Sequence, residues 1–432
     1  MGAKRNEHVG LRLTMDDDAA LNAAIAAHLL PEPPEKLGVA VSGGGDSMAL
    51  LALAAGFAQT HEVQVHVISV DHGLRSGARD ELALVAAFCA ERGLSHHIES
   101  WSGWDGSGNL QGAARAARYK LINRWAETVG LRLVLLGHTV DDQAETLMMR
   151  LARGAGVDGL SAMAPRRMRE GITYVRPFLD ITRAELRDYL TRHDIAWADD
   201  PSNDDTSFAR VAMRQALTQL EPLGLSARTL AGVARNMRQS REALNWQTHS
   251  AAHEVAQVQA GAVRVDVQKF RALPEEISRR LLVQAVMWIN GGNYPPRRSG
   301  VAGVQAAVRE GRTTTLDGCQ ISFAGEAMWI YRELNAVRDT FSKPGGVWDN
   351  RWRVEGPENN PRLHVGPLGE DGLALCPDWR EHGLPRGAML SLPAVWEGGD
   401  LVVAPVFDDA AGWSAEIAGG QETFFAALLS RQ

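Results

Sequence analysis

The chain has 432 residues, too many for one ordinary hydrophobic core, so two or three domains are expected. Hydrophobic residues make up 45% and charged residues 22%, the balance of a soluble globular protein, and no apolar run is long enough to span a bilayer. The net charge of -7 argues against a protein that coats nucleic acid indiscriminately, although it leaves room for a local basic face.

Cys89, Cys319 and Cys376 are far apart and odd in number, which argues against a disulfide framework or a Cys-x-x-Cys site. Met1 to Asp18 carries no apolar signal core, so the cytoplasm is the expected compartment.

Ala19 to Leu30 reads as a short helix, stopped by Pro31, Pro33 and Pro34. Leu37 to Val41 is a short apolar run ending in glycines, which predicts a buried strand. An alanine-rich helix follows over Met48 to Ala58. Val63 to Val70, with β-branched Val65, Val67 and Ile68, predicts a second strand. Then come a helix (Asp80 to Arg92), a strand (Ser95 to Glu99), a helix (Gln111 to Val129), a strand (Leu131 to Leu136) and a helix (Asp141 to Arg153).

This alternation predicts an α/β domain, a parallel Rossmann-like sheet covered on both faces. Such sheets bind ligands at the carboxyl ends of their strands. The polar clusters Ser42 to Ser47, Asp71 to Arg75 and His138 to Asp142 fall at those ends.

Beyond Leu160 the pattern changes. Val175 to Leu179 reads as extended, and Thr182 to Arg192 as a helix with a capping box of Thr182 and Glu185. Asp199 to Thr206 reads as a polar loop and Phe208 to Leu220 as a helix, closing a first domain over 19–222. Helices over 226–256, Glu275 to Trp288 and Val301 to Arg309 follow. With short strands at Thr313 to Leu316, Gln320 to Phe323 and Ala327 to Tyr331, they predict a mostly helical domain over 223–340. Residues 341–432 are rich in Gly, Pro and Trp, with short strands at Ala388 to Leu392 and Leu401 to Ala404. They read as a small β-rich domain. Two arginine-rich places, Arg115 to Arg124 and Arg150 to Arg169, read on charge alone as a solvated helix face and a solvated loop.

The strand, then Ser42-Gly43-Gly44-Gly45-Asp46-Ser47, then a helix, form an anion site in physical terms. Glycines let the backbone approach closely, and amides at a helix N-terminus face phosphate. Ser42 and Ser47 add hydroxyl donors. Asp46 is unsuited to touch phosphate but suited to hold a Mg²⁺ that does. No Gly-Lys-Ser/Thr is present, so this is not the Walker loop of γ-phosphate chemistry.

Ser-Gly-Gly-x-Asp-Ser after a strand resembles the PP-loop of the N-type ATP pyrophosphatases, which cleave ATP between the α- and β-phosphates and form adenylated intermediates. Further stretches narrow the resemblance. They are Val70 to Arg75, Arg115 with Ala117-Arg118-Tyr119, Leu136-Gly137-His138, Asp141 to Thr146, Met149 to Gly154, Arg176-Pro177 and Asp200 to Asn203. In this order they resemble the tRNA(Ile)-lysidine synthetase family, closely over 36–220 and more loosely beyond. The resemblance implies adenylation of the wobble cytidine of a CAU-anticodon tRNA(Ile) with ATP. L-lysine then attacks through an amino group, AMP leaves, and lysidine is formed. The later domains would then position tRNA, with 226–335 touching the acceptor arm or helping to make a homodimer.

Asp141 and Glu145 are i, i+4 on one helix face, and with Asp142 nearby they could hold the lysine ammonium or a metal. His138 and Arg115 join Asp46 and Asp141 as expected catalytic groups. Arg118, Arg210 and Arg214 are expected at tRNA or polyphosphate. Two positions depart from the family pattern: Thr139 stands where a second histidine is common, and Val211 where asparagine is. The alternatives are a tRNA-thiolating relative, which the absence of Cys-x-x-Cys opposes, and a nonenzymatic nucleotide- or RNA-binding module, which the polar groups Asp46, His138, Asp141 and Asp142 oppose.

Overall fold

Helix α1 (Asp17–Leu29) places Leu21, Ile25 and Leu29 on one buried stripe at the i, i+4 spacing. The structure is a computed structural model that describes residues 17–73, 78–104, 110–199, 209–292, 294–357, 360–407 and 412–430. Strand β1 (Lys36–Ala40) is buried on both faces, as a central parallel strand must be. Its side chains alternate between two cores. Leu37 and Val39 pack with α1 and with α2 (Gly45–His61), whereas Ala40 packs on the other face.

The chain continues through β2 (Gln64–Asp71), α3 (Ala78–Glu91), β3 (Ser95–Ser100), α4 (Leu110–Val129), β4 (Leu133–Leu136), α5 (Val140–Leu151) and α6 (Val157–Leu160). It then passes β5 (Arg166–Arg169), β6 (Ile172–Val175), α7 (Arg183–Arg192), α8 (Ala209–Leu220) and the long α9 (Ala227–Val255). The sheet order is β3-β2-β1-β4-β6-β5. Every neighbouring pair is parallel except β5 with β6. On the second face Ile122, Trp125 and Ala126 of α4 meet Ile68, Val134 and Leu136. Each such fully buried aliphatic side chain contributes about 1.5–3 kcal/mol.

The strand order reverses between β1 and β4, so their carboxyl ends diverge and leave a crevice there. Both lead into expected site residues, Ser42 after β1 and His138 after β4.

One arginine-rich place differs from its reading as a loop. Arg166 to Arg169 form β5, an edge strand paired antiparallel with β6. An edge strand with one exposed side tolerates charge, so composition alone does not separate it from a loop. Arg75 and Asp200 to Asn203, together with Leu74, lie outside the described residues.

Two compact units divide at Arg241/Glu242, inside α9. In the second unit, α9 is followed by β7 (Ala256–Gln259), β8 (Ala262–Asp266), α10 (Val267–Ala272), α11 (Glu275–Asn290) and α12 (Arg298–Glu310). Next come β9 (Thr314–Leu316), β10 (Cys319–Ala324) and β11 (Ala327–Arg332), which build a five-stranded sheet with β7 and β8. Further on lie two three-stranded sheets within residues 341–430. Trp348, Trp352 and Val365 share one core with Ala262, Trp329 and Tyr331, so residues before and after 341 pack together.

The strand expected at Ala388 to Leu392 is corrected. Arg386–Leu390 is a short helix entered from Pro385, and the strand runs over Pro393–Glu397. A short run that is apolar throughout does not distinguish a buried strand from a buried helical turn. Among the described residues no helix is long and apolar enough to cross a membrane.

Candidate active site

Between β1 and α2 the backbone makes a turn that only glycine accepts without strain. Gly43 has φ +92°, and a Cβ there would lie 2.8 Å from the Glu81 carbonyl oxygen. Gly44 is the N-cap of α2 and brings no side-chain cap, which leaves that helix start suited to an anion. Ser47 closes the turn: its Oγ donates to the Gly44 carbonyl at 2.9 Å and accepts the Ser42 amide at 3.1 Å. The two serine hydroxyls lie 3.2 Å apart, and the Ala198 amide donates to the Gly43 carbonyl at 3.0 Å. Gly43→Ala is therefore expected to cost about 1–3 kcal/mol of backbone strain and to weaken ATP binding. Thermal unfolding and a nucleotide titration check this; unchanged ATP affinity would count against the loop as the phosphate site.

The facing wall comes from β4. Gly137 packs directly on the start of α2, since a Cβ there would stand 3.0 Å from the Asp46 carbonyl oxygen. Thr139 caps α5 in a capping box. The Asp142 amide donates to Thr139 Oγ1 at 3.4 Å, and Asp142 Oδ2 accepts the Thr139 amide at 2.9 Å. The departure at Thr139 thus has a local role, and Asp142 serves partly as a helix cap. Val211, the other departure, is buried on α8.

The acidic residues converge on a group that sequence reasoning missed. Arg183, the first residue of α7, donates from Nε to Asp46 Oδ2 at 3.0 Å and from Nη2 to Asp142 Oδ1 at 3.3 Å. It lies 3.5 Å from Glu145 Oε1. Its backbone amide donates to Asp141 Oδ2 at 2.8 Å, so Asp141 caps α7. The only local signal at Arg183 was its place after Thr182, and that says helix start rather than site.

Arg210 and Arg214, expected at tRNA or polyphosphate, donate to Glu145 at 2.7 and 2.9 Å. Glu145, expected to face lysine, is fully buried and neutralised by these guanidinium groups. The i, i+4 pair therefore splits: Asp141 ties α5 to α7, and Glu145 anchors α8.

Burial raises the Asp46 carboxyl to about 6, against the pull of Arg183. Burial also works against ionisation of Asp142, but Arg183 and Arg210 outweigh it and hold the group below its ordinary value. Burial depresses His138 to about 3, so its imidazole is neutral at neutral pH.

A cleft of about 760 Å³ lies over the loop, lined by Ser42, Gly44, Gly45, Asp46 and Ser47. Arg118, His138, Asp142, Arg183, Arg210 and Arg214 line it as well. Arg115 lines a smaller cavity next to it. Asp141 and Glu145 line neither.

A family model described as a PP-loop domain matches residues 17–221. A tRNA(Ile)-lysidine synthase of Ruegeria pomeroyi is 50% identical over 94% of this chain and 97% of its own length. The chain belongs to the tRNA(Ile)-lysidine synthase family.

Relatives with that name in Rhodopseudomonas palustris and Wolbachia pipientis are 39% and 33% identical. They cover 68% and 73% of this chain and 89% and 76% of their own. The Ruegeria match, at 94% of this chain, runs through the PP-loop domain and most of the second unit.

Proposed function

We propose that this chain uses ATP to adenylate the wobble cytidine of the CAU anticodon of tRNA(Ile) and then joins L-lysine to it, releasing pyrophosphate and AMP and forming lysidine. The observation that carries this reading is the 50% identity to a lysidine synthase along 94% of the chain. The geometry supplies the parts. The α2 N-terminus and Ser42 to Ser47 hold the polyphosphate. The cytosine carbonyl oxygen attacks the α-phosphorus, and the bond to pyrophosphate breaks with its electron pair. The lysine amino group then adds at the activated ring carbon, AMP leaves, and the amine gives up a proton. That proton passes to solvent, because His138, depressed to about 3, is too weak a base to take it and serves the cleft as a neutral hydrogen-bonding group.

Mg²⁺ is bound by one or two carboxylates plus substrate phosphates in such sites, and Asp46 at the phosphate loop fits that donor set. The ion would neutralise charge on the leaving pyrophosphate. Arg115 and Arg118 serve tRNA or polyphosphate. Of Asp141, Asp142 and Glu145, Asp142 is the one that lines the cleft for lysine.

The reaction runs in the cytoplasm. A catalytic domain over 19–222 works with 223–340 and 341–432 holding tRNA, and 223–340 is the segment for a homodimer. Thiolation is disfavoured because burial pushes the Cys89 thiol up to about 11 and the Cys319 thiol up to about 12, which leaves neither a ready nucleophile. The deciding assay combines ATP, labelled lysine and a CAU-anticodon tRNA(Ile) transcript. Lysine incorporation with AMP release is expected; none would return the chain to the wider superfamily.

A further inference from the structure

A second cavity, of about 230 Å³, adjoins the ATP cleft and shares with it the side chains of Arg118, Leu136 and His138. Its remaining walls are His72, Ala114, Arg115 and Tyr119. The Tyr119 ring is fixed from several sides. Tyr174 meets it edge-on with centroids 5.0 Å apart, and the guanidinium carbons of Arg115 and Arg169 stand 5.5 and 5.1 Å from its centroid. Arg176 donates to its hydroxyl at 3.5 Å. The reaction as described above draws on Arg115, Arg118 and His138 of its wall but gives the cavity itself no occupant.

We propose that the cavity receives the target cytosine, turned out of the anticodon loop, with its ring carbonyl directed at the shared wall. The inference rests on the function proposed above.

Three observations support it. First, size: pockets for drug-sized ligands span about 300–1,000 Å³. The ATP cleft lies in that range and this cavity below it, as suits a single ring. Second, position: the base oxygen must reach the α-phosphorus, so the base site must open onto the polyphosphate cleft. The cavity does so beside His138. Third, chemistry: unpaired bases are held by aromatic stacking and by guanidinium forks. Cytosine presents two adjacent acceptors, the ring nitrogen and the carbonyl oxygen, and these match two donors of one arginine. Uracil carries a hydrogen on that nitrogen and would oppose the fork. The same cationic wall repels an ammonium group, and the carboxylates Asp46 and Asp142 belong to the ATP cleft. Lysine therefore enters by the cleft rather than this cavity.

Ala114→Leu, which fills the cavity, tests the assignment in the full-length protein. ATP affinity, lysine KM and kcat/KM for a CAU-anticodon tRNA(Ile) transcript are measured separately. Loss of the room for the base is expected to lower kcat/KM for tRNA at least about tenfold. ATP affinity and lysine KM should stay within about twofold, the pattern of a lesion confined to one substrate.

Tyr119→Ala should reproduce the loss, and Tyr119→Phe, which keeps the ring, should restore most of the rate. This pair carries the test if Ala114→Leu fails to fold by circular dichroism. Weakened ATP binding would assign the cavity to adenine, and a raised lysine KM would assign it to lysine; either result overturns the proposal. So does an unchanged tRNA rate in both Ala114→Leu and Tyr119→Ala. An unaltered enzyme that makes no lysidine is a separate failure, that of the function itself.

Discussion

Arg183→Ala is expected to abolish lysine incorporation and to destabilise the first unit by about 3 kcal/mol, the lower part of the range for breaking a buried ion pair. The side chain is 20% exposed and faces three carboxylates, of which Asp46 is 22%, Asp142 12% and Glu145 0% exposed. Removing the guanidinium leaves Asp46 without its ion-pair partner and weakens the hold on Asp142. Glu145 keeps Arg210 and Arg214, which is why the lower figure applies. The acidic groups would then take up protons or shift, and the phosphate side of the cleft would lose its geometry.

Arg183→Lys should rescue little, because one compact ammonium cannot span Asp46, Asp142 and Glu145 as a planar fork does. Chemical denaturation and the lysine assay check both variants. A wild-type unfolding midpoint with normal turnover in Arg183→Ala would show that the cluster has no role.

Asp46→Asn is expected to lower turnover at least about a hundredfold, the scale of removing one preorganised electrostatic element from a reacting centre. It also carries a pH signature. Burial raises the Asp46 carboxyl from an ordinary 3.8 to about 6. Between those values the folded chain binds the proton more tightly than the unfolded chain does. This group therefore favours the folded state at low pH, and that contribution fades as pH rises through about 6. Activity has the opposite slope, since the ionised carboxylate is the working form. The rate should climb as this carboxyl ionises and then level, with bound Mg²⁺, which favours the carboxylate, drawing the limb below the metal-free value of about 6. His138, held down at about 3, stays neutral across that window and adds no limb of its own. In Asp46→Asn the residual rate should be flat there. A limb that persists in this variant would assign the titration to another group.

The legible part of the fold ran from α1 to the end of α5 at Leu151. Alternation of apolar runs with helical segments placed β1 to β4 and α1 to α5 within a few residues, because a parallel strand buried on both faces leaves a continuous apolar run. The capping box at Thr182 and Glu185 was visible because it is a local arrangement of four residues. Ala388 to Leu392 failed because every neighbour there is apolar, so no periodicity separates helix from strand.

Sequence alone determined the phosphate loop, Ser42 to Ser47, since close backbone approach demands glycines in one short stretch. It also determined the likeness to lysidine synthases, since those stretches occur in order. What the tertiary structure decided is which charges meet. Asp46, Asp142, Glu145, Arg183, Arg210 and Arg214 come from four helices, and their pairing depends on how α2, α5, α7 and α8 converge at the carboxyl end of the sheet. Spacing along one helix suggested that Asp141 and Glu145 act together. Long-range packing gave one to the amide of Arg183 and buried the other among guanidinium groups, because a charge removed from water takes its partner from whatever the fold brings near.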